Sequence, residues 1–356
     1  VTGRFSPASL PRRQRPLFTA ADRLVSAGSC FAANMIPWLE AAGLDYLRCE
    51  PVPAAFRDLP EAMNYGTYSA AYGNIYTARQ LCQLLDRALG LFTPREDRWH
   101  EAGRVIDPFR PGLRYPAGHD AEFDALTRQH LAAVRQAFSS ATAVVFTLGL
   151  TEAWLSAADG AVFPACPGTL AGSHDPQRHR FKNFSVSETC ADLLGFHDRL
   201  RAINPGARLV LTLSPVPLQA TATGLHVVEA SILSKSVLRA AIAEAQRQRA
   251  GIDYFPAYEI ITGPQAPDAF FDADRRSVSR AGVAAVMGAL LAHCQAPQAA
   301  AALTALEDWR QGGAAPSAVQ ASPPAGALPG TDGPDGPDPH CEEAMVASIA
   351  LAQRFR

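Results

Sequence analysis

Short, nearly continuous apolar runs alternate along the chain with longer stretches in which apolar residues recur at helical spacing. The runs are Arg23 to Ala27, Leu44 to Cys49, Ala143 to Leu148, Arg208 to Leu213 and Ile252 to Phe255. Their length and lack of polar alternation predict strands buried on both faces of a parallel sheet. The helical stretches are Phe31 to Ala42, Tyr76 to Leu89, Ala121 to Ser140, Val186 to Ile203, Ala230 to Arg249 and Ser279 to His293. In the third of these, Phe123, Leu126, Leu131, Val134 and Phe138 fall at helical spacing. Gly43 and Gly90 close two helices, and Asn204-Pro205-Gly206 ends another. Pro37 predicts a late start or a kink in the first helix, because an interior proline costs ~3 kcal/mol.

Strands and helices in this alternation predict an α/β fold, a three-layer α/β/α sandwich with a mainly parallel sheet covered on both faces. Ligands of such sheets bind beyond the carboxyl ends of the strands. Three strand ends carry small or polar residues suited to one site: Gly28-Ser29, Gly149-Leu150-Thr151-Glu152 and Ser214-Pro215.

The segments between the periodic stretches are long. Pro51 to Gly73 is an aromatic, Gly/Asn-rich loop, and a loop of that length inside a compact domain is usually functional. Phe92 to Gly118 and the region between Trp154 and Ser185 read as irregular. Residues 1–22 are Pro- and Arg-rich and read as an irregular arm, with the domain proper over 23–294. From Gln295 the composition shifts to Ala, Pro, Gly, Ser and Asp, which predicts a disordered linker over 295–340 and a short helix over 341–356.

Composition narrows the function classes. The chain has 356 residues, 48% hydrophobic, and a formal net charge of −2, so the basic excess of a nucleic-acid-binding face is absent. Seven cysteines without a C-x-x-C spacing suit reduced thiols and a cytoplasmic location. Arg12-Arg13-Gln14-Arg15 precedes an apolar stretch ending at Cys30, which resembles an export signal. Asp22-Arg23 interrupts its core, and no signal is expected. No eighteen-residue apolar run predicts a membrane span.

The candidate chemistry centres on Gly28-Ser29-Cys30. A hydroxyl and a thiol stand where a strand hands over to a helix, and a helix start favours developing negative charge. Ser29 is the candidate nucleophile, and the backbone N–H groups of Ser29 and Cys30 are candidate oxyanion donors. Cys30 is a rival nucleophile, since a thiol at a helix N-terminus has a depressed pKa. The plain alternative is a turn and helix cap with Cys30 as a small core residue.

The run Gly28-Ser29-Cys30-Phe31-Ala32 is the signature that names the GSCFA-domain family. YGNIYTARQL (72–81), TLGLTEAW (147–154), SPVPL (214–218), SKSVLR (234–239) and YFPAYEI (254–260) resemble the same family in the same order. That family is similar to the SGNH (GDSL-type) hydrolases. The resemblance implies a flavodoxin-like sandwich and an esterase-like role on acyl esters, with O-acetylated carbohydrates among the candidate substrates.

It places Ser29 at the nucleophile and Gly73, rather than Gly66, at the glycine N–H of the oxyanion site, with Asn74 beside it. Asn74 is also a candidate helix N-cap. Thr151 falls where the SGNH pattern Gly-x-Asn has its asparagine, after Gly149. Glu152 could orient a histidine, hold a substrate hydroxyl or pair with an arginine. The chain departs from the pattern near its end, where the expected Asp-x-x-His reads Asp274-Arg275-Arg276-Ser277. Asp274 remains and the base is missing. His226 is the candidate to take over, although a histidine before an apolar stretch is often structural.

His174 and His179 read as a solvated loop with a weak metal signal, His293 as a helix-end group, and Lys235 as a solvated lysine on a helix surface. The resemblance, mapped onto these residues, implies a serine-dependent acyl-ester hydrolase or O-acyltransferase acting on a small-molecule or glycan ester, with no metal or organic cofactor. The other reading is a carbohydrate-binding or scaffold protein on a degenerate hydrolase fold, with Tyr65, Tyr68 and Tyr72 as stacking residues.

Overall fold

The apolar runs become the strands of one parallel sheet. A computed structural model describes residues 15–52, 65–111, 113 and 116–316, and of Cys30 only the backbone. Residues 1–14 of the expected arm, the linker from 317 and the expected helix at 341–356 lie outside the described residues.

In chain order the elements begin with β1 (Arg23–Ala27), α1 (Cys30–Ala33), α2 (Ile36–Ala41), β2 (Asp45–Tyr46), α3 (Ala78–Ala88), β3 (Trp99–Glu101) and β4 (Arg104–Ile106). They continue with α4 (Asp120–Ser140), β5 (Ala143–Leu148), β6 (Glu152–Ser156), β7 (Val162–Phe163), β8 (His179–Asn183) and α5 (Val186–Ile203). The last are β9 (Arg208–Leu213), α6 (Val227–Gln248), β10 (Ile252–Phe255), α7 (Ala257–Thr262), α8 (Arg280–Ala292) and α9 (Ala299–Arg310).

The main sheet has the order β10-β9-β5-β1-β2 with every pairing parallel. Its strands are buried almost throughout, because helices cover both faces. Helices α3 to α6 pack side by side on one face, while α1, α2, α7, α8 and α9 cover the other. The chain runs outward from β1 to β2, returns to β5 on the other side of β1, and then proceeds to β9 and β10. The order therefore reverses between β1 and β5. That is the topological switch point, where a crevice opens beyond the strand ends of a flavodoxin-like sheet.

Several expectations are corrected. The first helix is two pieces, with Pro37 in the opening turn of α2 where a missing N–H costs nothing. The supposed irregular stretches hold the β3–β4 hairpin and an antiparallel sheet of order β7-β6-β8, in which Trp154 pairs with Phe181. Residues 15–22 of the arm are hydrogen-bonded to the chain beyond α8, with Leu17 and Phe18 buried. The expected linker does not begin at 295: α9 packs on α2 and α8, with Ala302 and Leu306 buried and Trp309 edge-on to Trp38 at 5.5 Å. Small alanines let that helix lie close, and Leu303, Leu306 and Trp309 pack against the core to anchor it.

Among the described residues no helix is long and apolar enough to cross a membrane. His174, His179 and Asp175 form no metal-binding cluster.

Candidate active site

Beyond Ala27 the chain turns through Gly28, whose φ is +152°. A Cβ there would lie 2.6 Å from the Ala32 Cβ and 2.9 Å from the Thr147 Cβ, so only glycine lets β1 approach β5 and α1 this closely. Ser29 follows, fully buried, and its Oγ has no hydrogen-bond partner among the described residues. Its carbonyl accepts the N–H groups of Ala32 and Ala33 and the Tyr68 hydroxyl, the last at 2.7 Å. Helix α1 is a single turn, so its dipole is much smaller than the sequence pattern suggests.

The aromatic loop supplies the second wall. The Ile75 N–H donates to the Gly28 carbonyl at 2.8 Å, and the Tyr76 carbonyl accepts the N–H groups of Gly149 and Leu150 at 3.0 and 3.3 Å. Segment 74–77 thus lies across the ends of β1 and β5 and ties them together. The Asn74 amide donates to the Tyr76 hydroxyl at 2.9 Å, and its Oδ1 is 3.4 Å from the Tyr68 hydroxyl. Gly73 has φ +66° with open space where a side chain would be. Thr77, not Asn74, caps α3.

The third wall is the Gly149–Thr151 turn, held from outside by α6. Ser234 Oγ accepts both the Thr151 N–H and the Thr151 hydroxyl at 3.1 Å. The Lys235 ammonium donates to the Gly149 carbonyl at 2.6 Å. Lys235 is only 4% exposed, which overturns its reading as a solvated lysine. Below the turn, Thr147 and Thr212 are register partners on β5 and β9. Both are buried, and neither Oγ1 has a partner among the described residues. A buried hydroxyl without a partner costs about 1–3 kcal/mol, so the strand ends keep a polar interior beside Ser29.

The remaining candidates are placed differently. Glu152 is buried and accepts the Thr221 hydroxyl at 2.6 Å and the Ala222 N–H at 3.1 Å. Burial raises its pKa, partly offset by those two hydrogen bonds. It fastens the turn between β9 and α6. His226 is the exposed N-cap of α6, where Nδ1 accepts the Val228 N–H at 3.3 Å. It makes no hydrogen bond to Ser29.

Asp274 lies on an exposed turn and accepts the Ser277 hydroxyl at 2.6 Å and the N–H groups of Arg276 and Ser277. Slight burial pushes its pKa up, but these donors outweigh it and hold the carboxyl below its ordinary value. Ser277 therefore stands on the aspartate where the SGNH pattern has histidine. Arg276 joins this turn to the site by donating to the Pro217 carbonyl beyond β9.

From the sequence, Tyr68 reads only as a stacking residue of the second reading, and Ser234-Lys235 resembles a Ser-Lys pair but reads as helix surface. For Lys235 a signal existed: Ala230, Ser231, Ser234, Leu238, Ala241 and Ala245 form the inward stripe of α6, and Lys235 falls within it.

A model described as the GSCFA family matches residues 23–290. Among solved structures, the chain is similar to an acetyl esterase mutant with acetate ion, at 9% identity over 81% of this chain and 99% of that one, TM-score 0.36. It is also similar to a carbohydrate esterase family 3 from Talaromyces cellulolyticus, at 10% identity, 81% and 99% coverage, TM-score 0.36. A third is an acetyl xylan esterase from the rumen bacterium Butyrivibrio proteoclasticus, at 12% identity, 68% and 56% coverage, TM-score 0.26. At this distance none of them assigns a residue or a substrate. No curated relative matches the chain in sequence.

Proposed function

Because this chain belongs to the GSCFA family, we propose that it is a serine-dependent hydrolase or O-acyltransferase of acyl esters, with acylated glycans as the substrate class. The observation that carries the reading is Ser29. A buried hydroxyl without a partner among the described residues stands at the switch point of the sheet, flanked by two walls rich in hydrogen-bonding groups. A serine kept only as a helix cap would satisfy a helix N–H with its Oγ.

In this mechanism Ser29 Oγ attacks the acyl carbonyl and forms the ester bond, while the leaving alkoxide takes up a proton. Water or an acceptor hydroxyl then displaces the enzyme. The N–H groups of Ser29 and Gly73 are the proposed oxyanion donors, with the Cys30 backbone, Asn74, Gly149 and Thr151 shaping the same wall, the Thr151 hydroxyl being donated to Ser234. For proton transfer the reading keeps His226, with Glu152 or Asp274 as its orienting carboxylate. While Nδ1 of His226 accepts the Val228 N–H, the proton of the neutral ring sits on Nε2, so His226 can take the Ser29 proton only after leaving that cap. Reaching Ser29 requires the turn before α6 to move.

The test is hydrolysis of p-nitrophenyl acetate and of acetylated oligosaccharides by the full chain. Loss of at least a hundredfold in Ser29→Ala supports the reading, and undiminished turnover sinks it. Ser277 in the histidine position favours a second reading, a glycan-binding protein on a degenerate hydrolase fold. Glycan binding retained in Ser29→Ala without turnover of any ester by the wild type would select it.

A further inference from the structure

We infer that Lys235 is a positioning residue of this site, holding the Gly149–Thr151 turn and placing a buried positive charge behind it. The inference rests on the reading of Ser29 as nucleophile.

Lysine is rarely this buried unless its ammonium is engaged. Taking the charge out of water costs several kcal/mol, and a methionine would fill the same inward position of α6 without that cost. Packing therefore does not account for the residue. Its ammonium lies 2.6 Å from the Gly149 carbonyl, on the first residue beyond β5.

The neighbouring Ser234 takes the Thr151 N–H and hydroxyl, and the Tyr76 carbonyl takes the Gly149 and Leu150 N–H groups. The turn is thus held from two sides, by α6 and by the segment that also binds the Gly28 carbonyl. The peptide orientation at the end of β5 is set by these contacts rather than by the strand.

The charge has a second consequence. Thr151 occupies the asparagine position of the SGNH pattern, and its hydroxyl is directed to Ser234 rather than outward. The amide donor expected at that place has no counterpart on this turn. A cation held at the Gly149 carbonyl, in a water-poor interior, stabilises negative charge developing on the acyl oxygen without reorganising. Lys235 acts through the turn and its field, and does not itself touch the reacting atoms.

The test uses the full chain with p-nitrophenyl acetate and a fluorophosphonate probe. Lys235→Met and Lys235→Gln should lower kcat and the labelling rate of Ser29 about a hundredfold, the loss that a small misplacement of site groups from a change away from the chemistry can cause. KM should stay within threefold, and the melting temperature of Lys235→Met should be at or above wild type. Lys235→Arg, which keeps the charge, should recover most of the rate.

A Lys235→Met enzyme within threefold of wild type overturns the inference, and so does a Lys235→Arg enzyme as slow as Lys235→Met. Failure of both neutral variants to fold makes Lys235 a structural residue and overturns it as well. A wild type that neither labels nor turns over ester removes the nucleophile reading itself. An active wild type with unaffected Lys235 variants leaves that reading standing and removes only this one.

Discussion

At the scale of single residues, the site depends on groups whose type is dictated by space and burial rather than by exposure to a ligand. Gly28 is the clearest. Alanine there would meet Ala32 and Thr147 inside contact distance at a φ that side chains rarely adopt. Overpacking and backbone strain each cost about 1–3 kcal/mol, so Gly28→Ala should lose about 2–4 kcal/mol in urea unfolding. A loss under about 0.5 kcal/mol, within the ordinary range of a surface substitution, would mean that β1 is free to move away from β5.

Ser29 was legible as a hydroxyl after an apolar run, because strand ends in parallel sheets are marked by such a break. Lys235 was not, since a charged residue on a helix suggests solvent and only the inward stripe of α6 reveals otherwise. His226 invites a direct test. His226→Ala should slow fluorophosphonate labelling of Ser29 at least tenfold if the histidine takes its proton, and an unchanged rate would assign that step to another group.

At the scale of elements, a buried charge cluster fastens the aromatic loop that walls the site. Glu50, just beyond β2, accepts the Ala71 N–H and His130 Nδ1, both at 2.7 Å. Arg110 donates to Asp107 at 2.7 Å and lies 3.7 Å from Glu50. Burial pushes the Asp107 and Glu50 carboxyls up. The Arg110 and Arg87 charges on Asp107, and the His130 N–H, Arg110 and Ala71 N–H on Glu50, more than offset it and leave both lowered. Burial and the Arg110 charge lower the His130 pKa, partly offset by Glu50 and Asp107.

A depressed folded pKa gives stability that is present above the unfolded value and is lost as pH falls toward the folded one. The loss should begin below 6.5 through His130 and deepen below 4.5 and 3.8 through Glu50 and Asp107. Hydrogen exchange at the Ala71 amide should accelerate over that window, and a flat profile would contradict the assignment. Arg110→Met removes the cation that two buried carboxylates share and should cost about 3–5 kcal/mol.

Elements differed in how far the sequence revealed them. Strands β5, β9 and β10 and helix α5 match the predicted spans, because buried strands and long amphipathic helices carry their own periodicity. The β6–β8 pairing did not show, since Arg180 and Lys182 break the apolar pattern and the register is set across residues far apart in sequence. Helix α9 was hidden by alanine-rich composition, and its order comes from docking on α2 and α8 rather than from its own sequence. Trp309 carries much of that docking, so Trp309→Ala should lower stability by about 2–3 kcal/mol, somewhat below the loss for a fully buried tryptophan. Unchanged unfolding would show that α9 contributes little.

At the scale of the whole molecule, the strand order explains why distant segments meet. β1 and β5 are neighbours in the sheet but far apart in sequence, and the reversal between them brings Gly28-Ser29 beside Gly149–Thr151. The aromatic loop before α3 crosses that junction, and α6 closes it from outside. Alternation of runs and helices was enough to predict the layered sandwich. It could not supply the ion cluster or the turn contacts, which arise only when the layers are packed.

The family match covers the sheet and ends at residue 290, inside α8. It therefore includes every wall of the site and excludes α9. The central claim, that Ser29 is a nucleophile, is tested most directly by site-resolved mass spectrometry of the folded chain after treatment with a fluorophosphonate. The account predicts one adduct, on the peptide containing Ser29, lost in Ser29→Ala and on unfolding. No adduct on the folded wild type, or one that persists in Ser29→Ala, would contradict it.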